Sequence, residues 1–219
     1  DKKADETYSD KEIPEDEVPE ENIPVPSPVE NPKISAVKEN GIVTHEKTNK
    51  GEILSAETAS DISSTDQTAL WISDTNTKII NNSTLQSEYT FENSKNYSVE
   101  VGDNAAFIND GLVLGSHGGV LLYNNAEFIN NNIIGNSGDY GVYLSSGSTL
   151  NNSGIVENNG QYGVYAEDGS VGTNTLNGII RNFSNYGMYA EGEKSSIINQ
   201  GLIENSGFSE ETQLSVLKD

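Results

Sequence analysis

Gly119-Val120, Gly141-Val142-Tyr143, Gly163-Val164-Tyr165 and Gly187-Met188-Tyr189 are successive copies of one motif, 22, 22 and 24 residues apart. A second motif keeps step with it: Asn109-Asp110-Gly111-Leu112-Val113, Asn130-Asn131-Asn132-Ile133-Ile134, Asn152-Ser153-Gly154-Ile155-Val156 and Asn199-Gln200-Gly201-Leu202-Ile203. Two motifs on one period describe a single supersecondary unit stacked on copies of itself.

The content of the unit favours strands. Val, Ile, Leu and Tyr come in runs of two or three, separated by Asn, Gly, Ser and Asp, which is strand–turn–strand punctuation. No stretch of 69–208 carries an apolar stripe at helical spacing beyond two turns. The regular Leu framework of a leucine-rich repeat is missing, and a propeller blade needs about twice this length. The expected fold is all-β: a right-handed parallel β-helix with three short strands per 22-residue coil.

Strand one is read at Phe107-Ile108, Phe128-Ile129, Leu150-Asn151 and Ile197-Ile198. Strand two is read at Leu112-Val113, Ile133-Ile134, Ile155-Val156, Ile179-Ile180 and Leu202-Ile203. Strand three covers 119–122, 141–144, 163–166 and 187–190, with Ser98 to Val101 as an earlier copy. Leu70-Trp71-Ile72 and Ile79 to Asn82 read as one further coil, lengthened by an insertion around Glu88 to Lys95. The coil containing Gly178 departs from the pattern, with Thr175-Leu176-Asn177 one residue out of register.

Strand alternation assigns the faces. Val142, Val164 and Met188 point inward with Leu144, Ala166 and Ala190, so Tyr143, Tyr165 and Tyr189 stack outside. Val113, Ile134, Val156, Ile180 and Ile203 point inward from strand two. Asn136, Asn158, Asn182 and Asn205 follow two residues later at the same parity, so they turn into the next corner. Parallel strands lie about 4.8 Å apart. At that spacing one Asn amide donates to the Asn of the next coil and accepts from the one before. Asn109, Asn130, Asn152 and Asn199 form a second ladder by the same logic.

Outside the repeats the chain changes character. All six prolines fall between Pro14 and Pro32, in a stretch rich in Asp and Glu. Such a segment buries too little apolar surface to offset its ordering entropy, so residues 1–32 read as a disordered acidic tail. Residues 33–68 read as a β-rich cap or linker: Ile34 to Val37 alternates, Ile42-Val43-Thr44 reads as a strand, and Asn49-Lys50-Gly51 offers a turn before Ile53-Leu54. Residues 69–219 carry the coils.

A formal charge of −22 repels nucleic acid and anionic lipid heads, so no nucleic-acid partner is expected. No apolar window approaches the length of a membrane-spanning helix. Cysteine is absent. The start at Asp1, without Met, fits a mature N-terminus or a cut fragment.

Catalytic machinery is hard to find in the repeats. Their only arginine is Arg181, and His117 sits in a loop without a partner pattern. Paired carboxylates at glycosidase spacing and phosphate or zinc motifs are not evident. Glu167-Asp168 and Glu191-Gly192-Glu193 line up after strand three, with Ser145-Ser146 in the coil before. They read as a solvated acidic edge rather than a calcium site. No catalytic residue, metal or cofactor is expected. The tyrosines 143, 165 and 189 are the candidate ligand-binding residues, as a flat platform for sugar rings, against the plainer role of stabilising a sheet.

The segments Asn152-Ser153-Gly154-Ile155-Val156-Glu157-Asn158 and Tyr140-Gly141-Val142-Tyr143 resemble those of autotransporter (type V secretion) passenger domains. They are most similar to the large Asn/Gly-rich adhesins of Gram-negative anaerobes, over residues 70–208. The resemblance implies export across the outer membrane, display at the cell surface, and a partner that is a host or bacterial surface protein or glycan. It also implies an outer-membrane barrel in the same parent polypeptide, which this sequence does not include. Alternatives are a carbohydrate-active β-helix enzyme and a purely structural spacer.

Overall fold

The computed structural model describes residues 42–47, 53–65, 68–73, 75–88 and 96–206. The expected tail (1–32), the alternating stretch Ile34 to Val37 and most of the expected insertion after Glu88 lie outside the described residues.

Every described element is a strand. β1 (Ile42–Lys47) runs antiparallel to β2 (Ile53–Thr58). The first coil is β2, β3 (Ile62–Ser64) and β4 (Leu70–Ile72); the second is β5 (Lys78–Asn81), β6 (Thr84–Ser87) and β7 (Tyr97–Val101). The third is β8 (Ala106–Asn109), β9 (Leu112–Gly115) and β10 (Gly118–Leu122). The fourth is β11 (Glu127–Asn130), β12 (Ile133–Asn136) and β13 (Tyr140–Leu144). The fifth is β14 (Thr149–Asn152), β15 (Ile155–Asn158) and β16 (Tyr162–Ala166). The sixth is β17 (Val171–Asn174), β18 (Ile179–Asn182) and β19 (Tyr186–Ala190), and β20 (Ser196–Asn199) and β21 (Leu202–Asn205) lie on it.

Equivalent strands pair in three sheets of eight, seven and six strands. Among the described strands, all pairing from β2 onward is parallel, and only β1 runs the other way. The chain is therefore a parallel β-solenoid of all-β class, as its period predicts. The hairpin of β1 and β2 covers the first coil on one sheet. That coil draws on both sides of position 68, since β4 belongs to it. Leu70 to Ile72 and Ile79 to Asn82 are thus the third strand of one coil and the first strand of the next, not parts of a single coil.

The interior is a column of aliphatic and aromatic side chains. Val113, Ile134, Val156 and Ile180 stack from the second sheet, and Val120, Val142, Val164 and Met188 from the third, all buried. Phe107 and Phe128 stack inside the first sheet with centroids 5.2 Å apart. Ala190 and Ile203, expected inside, pack partly buried against the same core.

The coil around Gly178 keeps its register. Val171–Asn174 is its first strand, pairing Asn174 with Asn152. Thr175, Leu176 and Asn177 fall in the turn beyond it, which is two residues longer than its counterpart between Asn152 and Ile155. The 24-residue spacing comes from that turn, so nothing in the core shifts.

One corner carries a continuous ladder of side-chain hydrogen bonds. Thr58 Oγ1 donates to Asn81 Oδ1 at 2.8 Å, and Asn81 Nδ2 donates to Asn109 Oδ1 at 2.8 Å. The same bond then runs from Asn109 to Asn130, Asn130 to Asn152, Asn152 to Asn174 and Asn174 to Asn199, at 2.7–2.9 Å. The four expected members are present, and Thr58, Asn81 and Asn174 extend the set. All but Asn199 are buried. A buried amide without partners is costly, and stacking like on like supplies them. The second ladder runs from Asn136 to Asn158 at 2.6 Å and from Asn158 to Asn182 at 2.9 Å. Asn205 is in register with Asn182 and donates its amide to the carbonyl of Asn185 at 2.5 Å. Asn136 begins this ladder because Gly115 stands where its predecessor would be, leaving Asn136 Oδ1 without a partner.

Candidate functional site

The outer face of the third sheet concentrates the chain's aromatic chemistry. Its pairing runs Tyr140 to Tyr162, Val142 to Val164, Tyr143 to Tyr165 and Leu144 to Ala166, passing over Gly141. A Cβ on Gly141 would lie 2.6 Å from the Gly163 carbonyl oxygen and 2.8 Å from Val156 Cγ1. Only glycine fits this close approach. The break in alternation sets Tyr140 beside Tyr143 instead of on the face of Val142.

Two tyrosine columns result. Tyr140, Tyr162 and Tyr186 stack with centroids 5.4 and 5.5 Å apart and planes inclined by 8° and 10°. Tyr143, Tyr165 and Tyr189 form the other, at 5.0 and 5.8 Å. Rings of the two columns meet at 5.0 Å within each coil. Tyr165, at the centre, is only 8% exposed. Tyr143, Tyr165 and Tyr189 do stack outside the coil, but the other column shields them. Tyr97 shares the register of Gly118. Its ring fills the space a Cβ on Gly118 would need, and it meets Tyr143 edge-on at 6.3 Å.

Carboxylates engage the hydroxyls. Tyr143 donates to Glu167 at 2.5 Å, Tyr165 to Glu191 at 2.6 Å and Tyr123 to Glu100 at 3.0 Å. Burial first, and then the carboxylate each hydroxyl meets, push these three phenols above their ordinary range. Burial and then the nearby Asp139 do the same to Tyr140. Glu167 and Glu191 thus anchor phenols. Asp168 sits in a left-handed turn with Gly169, at φ 49° and 82°. Among the described residues no group of three or more His, Asp and Glu side chains is placed to hold a metal ion.

The remaining polar groups are spread along the solenoid. Arg181 pairs with Glu204 at 2.5 Å and approaches Glu157 at 3.8 Å, one coil to either side. His117 Nδ1 lies 3.3 Å from Ser116 Oγ in a partly buried loop. No described helix is long and apolar enough to cross a membrane.

A stack whose ring planes face one another along the axis hides its flat faces between coils. What it turns to solvent is ring edges and hydroxyls. Alternation pointed to Tyr143, Tyr165 and Tyr189 but missed Tyr140, Tyr162 and Tyr186. The signal was available: a tyrosine immediately precedes three of the four glycines that open the repeated motif.

Comparison with protein-family models, with curated proteins and with solved structures returned no match to this chain.

Proposed function

We propose that this chain is a surface-displayed passenger segment of a bacterial autotransporter, serving as a stalk or adhesin. One observation carries the reading: each coil finds its backbone and corner-amide partners in its neighbours, through the Asn81-to-Asn199 ladder and the parallel sheets. Such a chain can fold coil upon coil as it emerges from a pore, with no closure between distant segments. Absence of cysteine suits the same route. The repeat motifs add their resemblance to passenger domains.

The tyrosine face favours the stalk over a sugar platform, because its ring faces are turned into the stack. A host or bacterial surface ligand at Tyr143, Tyr165 and Tyr189 would be met by edges and hydroxyls. The test fuses residues 1–219 ahead of a translocator barrel and treats intact cells with protease. The expected result is cleavage of the chain at the cell surface. Retention in the periplasm, while a control passenger is displayed, would overturn the proposal. Saturable binding of the purified chain to host or bacterial cells, lost on changing the three tyrosines to Ser, would establish the adhesin role.

A further inference from the structure

The double tyrosine column has a chemistry that neither stalk nor adhesin requires. Tyr140, Tyr162 and Tyr186 are held in register on adjacent strands, with ring planes nearly parallel and centroids 5.4–5.5 Å apart. Each touches a ring of the second column. In that column Tyr143 and Tyr165 already donate their protons toward Glu167 and Glu191. A phenol that loses an electron becomes a strong acid. Oxidation is therefore easiest where a carboxylate is in place to take the proton.

We propose that this face is a site of oxidative cross-linking, at which a peroxidase-type one-electron oxidant joins Tyr162 to Tyr140 or Tyr186 by a carbon–carbon bond between adjacent coils. Tyr165 gives an electron to the oxidant and its hydroxyl proton to Glu191. It then recovers an electron from Tyr162, in contact at 5.0 Å, and its proton from Glu191. Tyr162 releases its own hydroxyl proton to solvent and is left as a phenoxyl radical. A second oxidation, entering at Tyr143 and Glu167, does the same to Tyr140. The two radicals couple at ring carbons beside the oxygens. Each coupled carbon sheds its hydrogen as a proton, and each oxygen regains one. The protein loses two hydrogen atoms in all, and one hydrogen peroxide takes up the two electrons and two protons as two waters.

The stack selects the partners. Tyr140 and Tyr186 each have Tyr162 as their stacked neighbour, so the bond forms within one molecule and links consecutive coils. The proposal does not depend on where the protein is displayed.

The test treats the purified 219-residue chain with a haem peroxidase and hydrogen peroxide, followed by peptide mass mapping. The expected product is monomeric, short of two hydrogens, fluorescent as dityrosine, and linked through Tyr162. Tyr162→Phe keeps the ring and its packing, and circular dichroism verifies its fold; this variant loses the link within the outer column, because Tyr140 and Tyr186 are separated by a whole coil and Tyr165, 5.5 Å from Tyr140, is buried with its hydroxyl held by Glu191. Glu167→Gln together with Glu191→Gln slows product formation. The proposal fails if Tyr162→Phe cross-links as well as the parent, or if the products are only intermolecular. It also fails if the links run through Tyr8 or Tyr89, or if free tyrosine couples while the chain does not.

Discussion

The Nδ2 of Asn158 donates to the Oδ1 of Asn182, 2.9 Å away in the next coil. The same nitrogen donates to the carbonyl of Tyr162 at 2.8 Å. One buried side chain thus joins two coils and closes the turn that leads to its own third strand.

Asn158→Ala leaves Asn182 Oδ1 and one donor of Asn136 without this partner. Each buried group so orphaned costs about 1–3 kcal/mol, so the urea midpoint should fall clearly. Asn199→Ala, at an exposed rung, should stay within about 0.5 kcal/mol. Equal shifts for the two variants would mean that the ladder does not stabilise the interior.

Gly163→Ala should be poorly tolerated. The added Cβ would meet the Gly187 carbonyl oxygen at 2.4 Å and Ile180 Cγ2 at 2.7 Å. Overpacking of this kind costs about 1–3 kcal/mol. Gly135→Ala is the control, because its nearest contact is the flexible tip of Leu114 at 3.1 Å. Thermal midpoints should separate the two, and a harmless Gly163→Ala would contradict the close approach.

Stability should fall in alkali. Tyr143 and Tyr165 have folded-state pKa values raised above 10.0, by burial and then by their hydrogen bonds to Glu167 and Glu191. The unfolded chain therefore releases these protons first. Their contribution is complete below about pH 10 and is lost as pH climbs toward the folded-state values. Phenolate absorbance and far-ultraviolet circular dichroism, followed together, should change together for the shielded rings. Full ionisation of Tyr143 and Tyr165 near pH 10 with the fold intact would contradict their shielding.

Arg181→Met should matter little. Its partners Glu157 and Glu204 are about half exposed, and exposed ion pairs contribute roughly 0–1 kcal/mol. The small loss should vanish in high salt. A large, salt-independent loss would point to a packing role for the arginine stem.

Legibility followed the constancy of the period. Where coils repeat at 22 residues, as from Asn130 to Asn152, the strands, inward residues and rungs were readable directly. Asn174 was hidden because the long turn after it moves Gly178 and Ile179 out of step. Asn81 was hidden because the chain between Ser87 and Tyr97 stretches its spacing to Asn109 to 28 residues. Thr58 ends the ladder with a hydroxyl, which no search for asparagine finds. Tyr140 escaped for a different reason. Strict alternation would place it with Val142, and the glycine between them breaks that alternation. The pairing of Tyr143 with Glu167 joins two coils through side chains, and no local pattern encodes it.

Each asparagine in the first ladder has its oxygen toward the preceding coil and its nitrogen toward the following one. Amides so aligned are dipoles laid head to tail, as peptide units are in a helix. Their sum gives the rod an electrical sense, negative at the Thr58 end and positive at the Asn199 end. A molecule of net charge −22 therefore carries, along one corner, a small internal field that distinguishes its two ends.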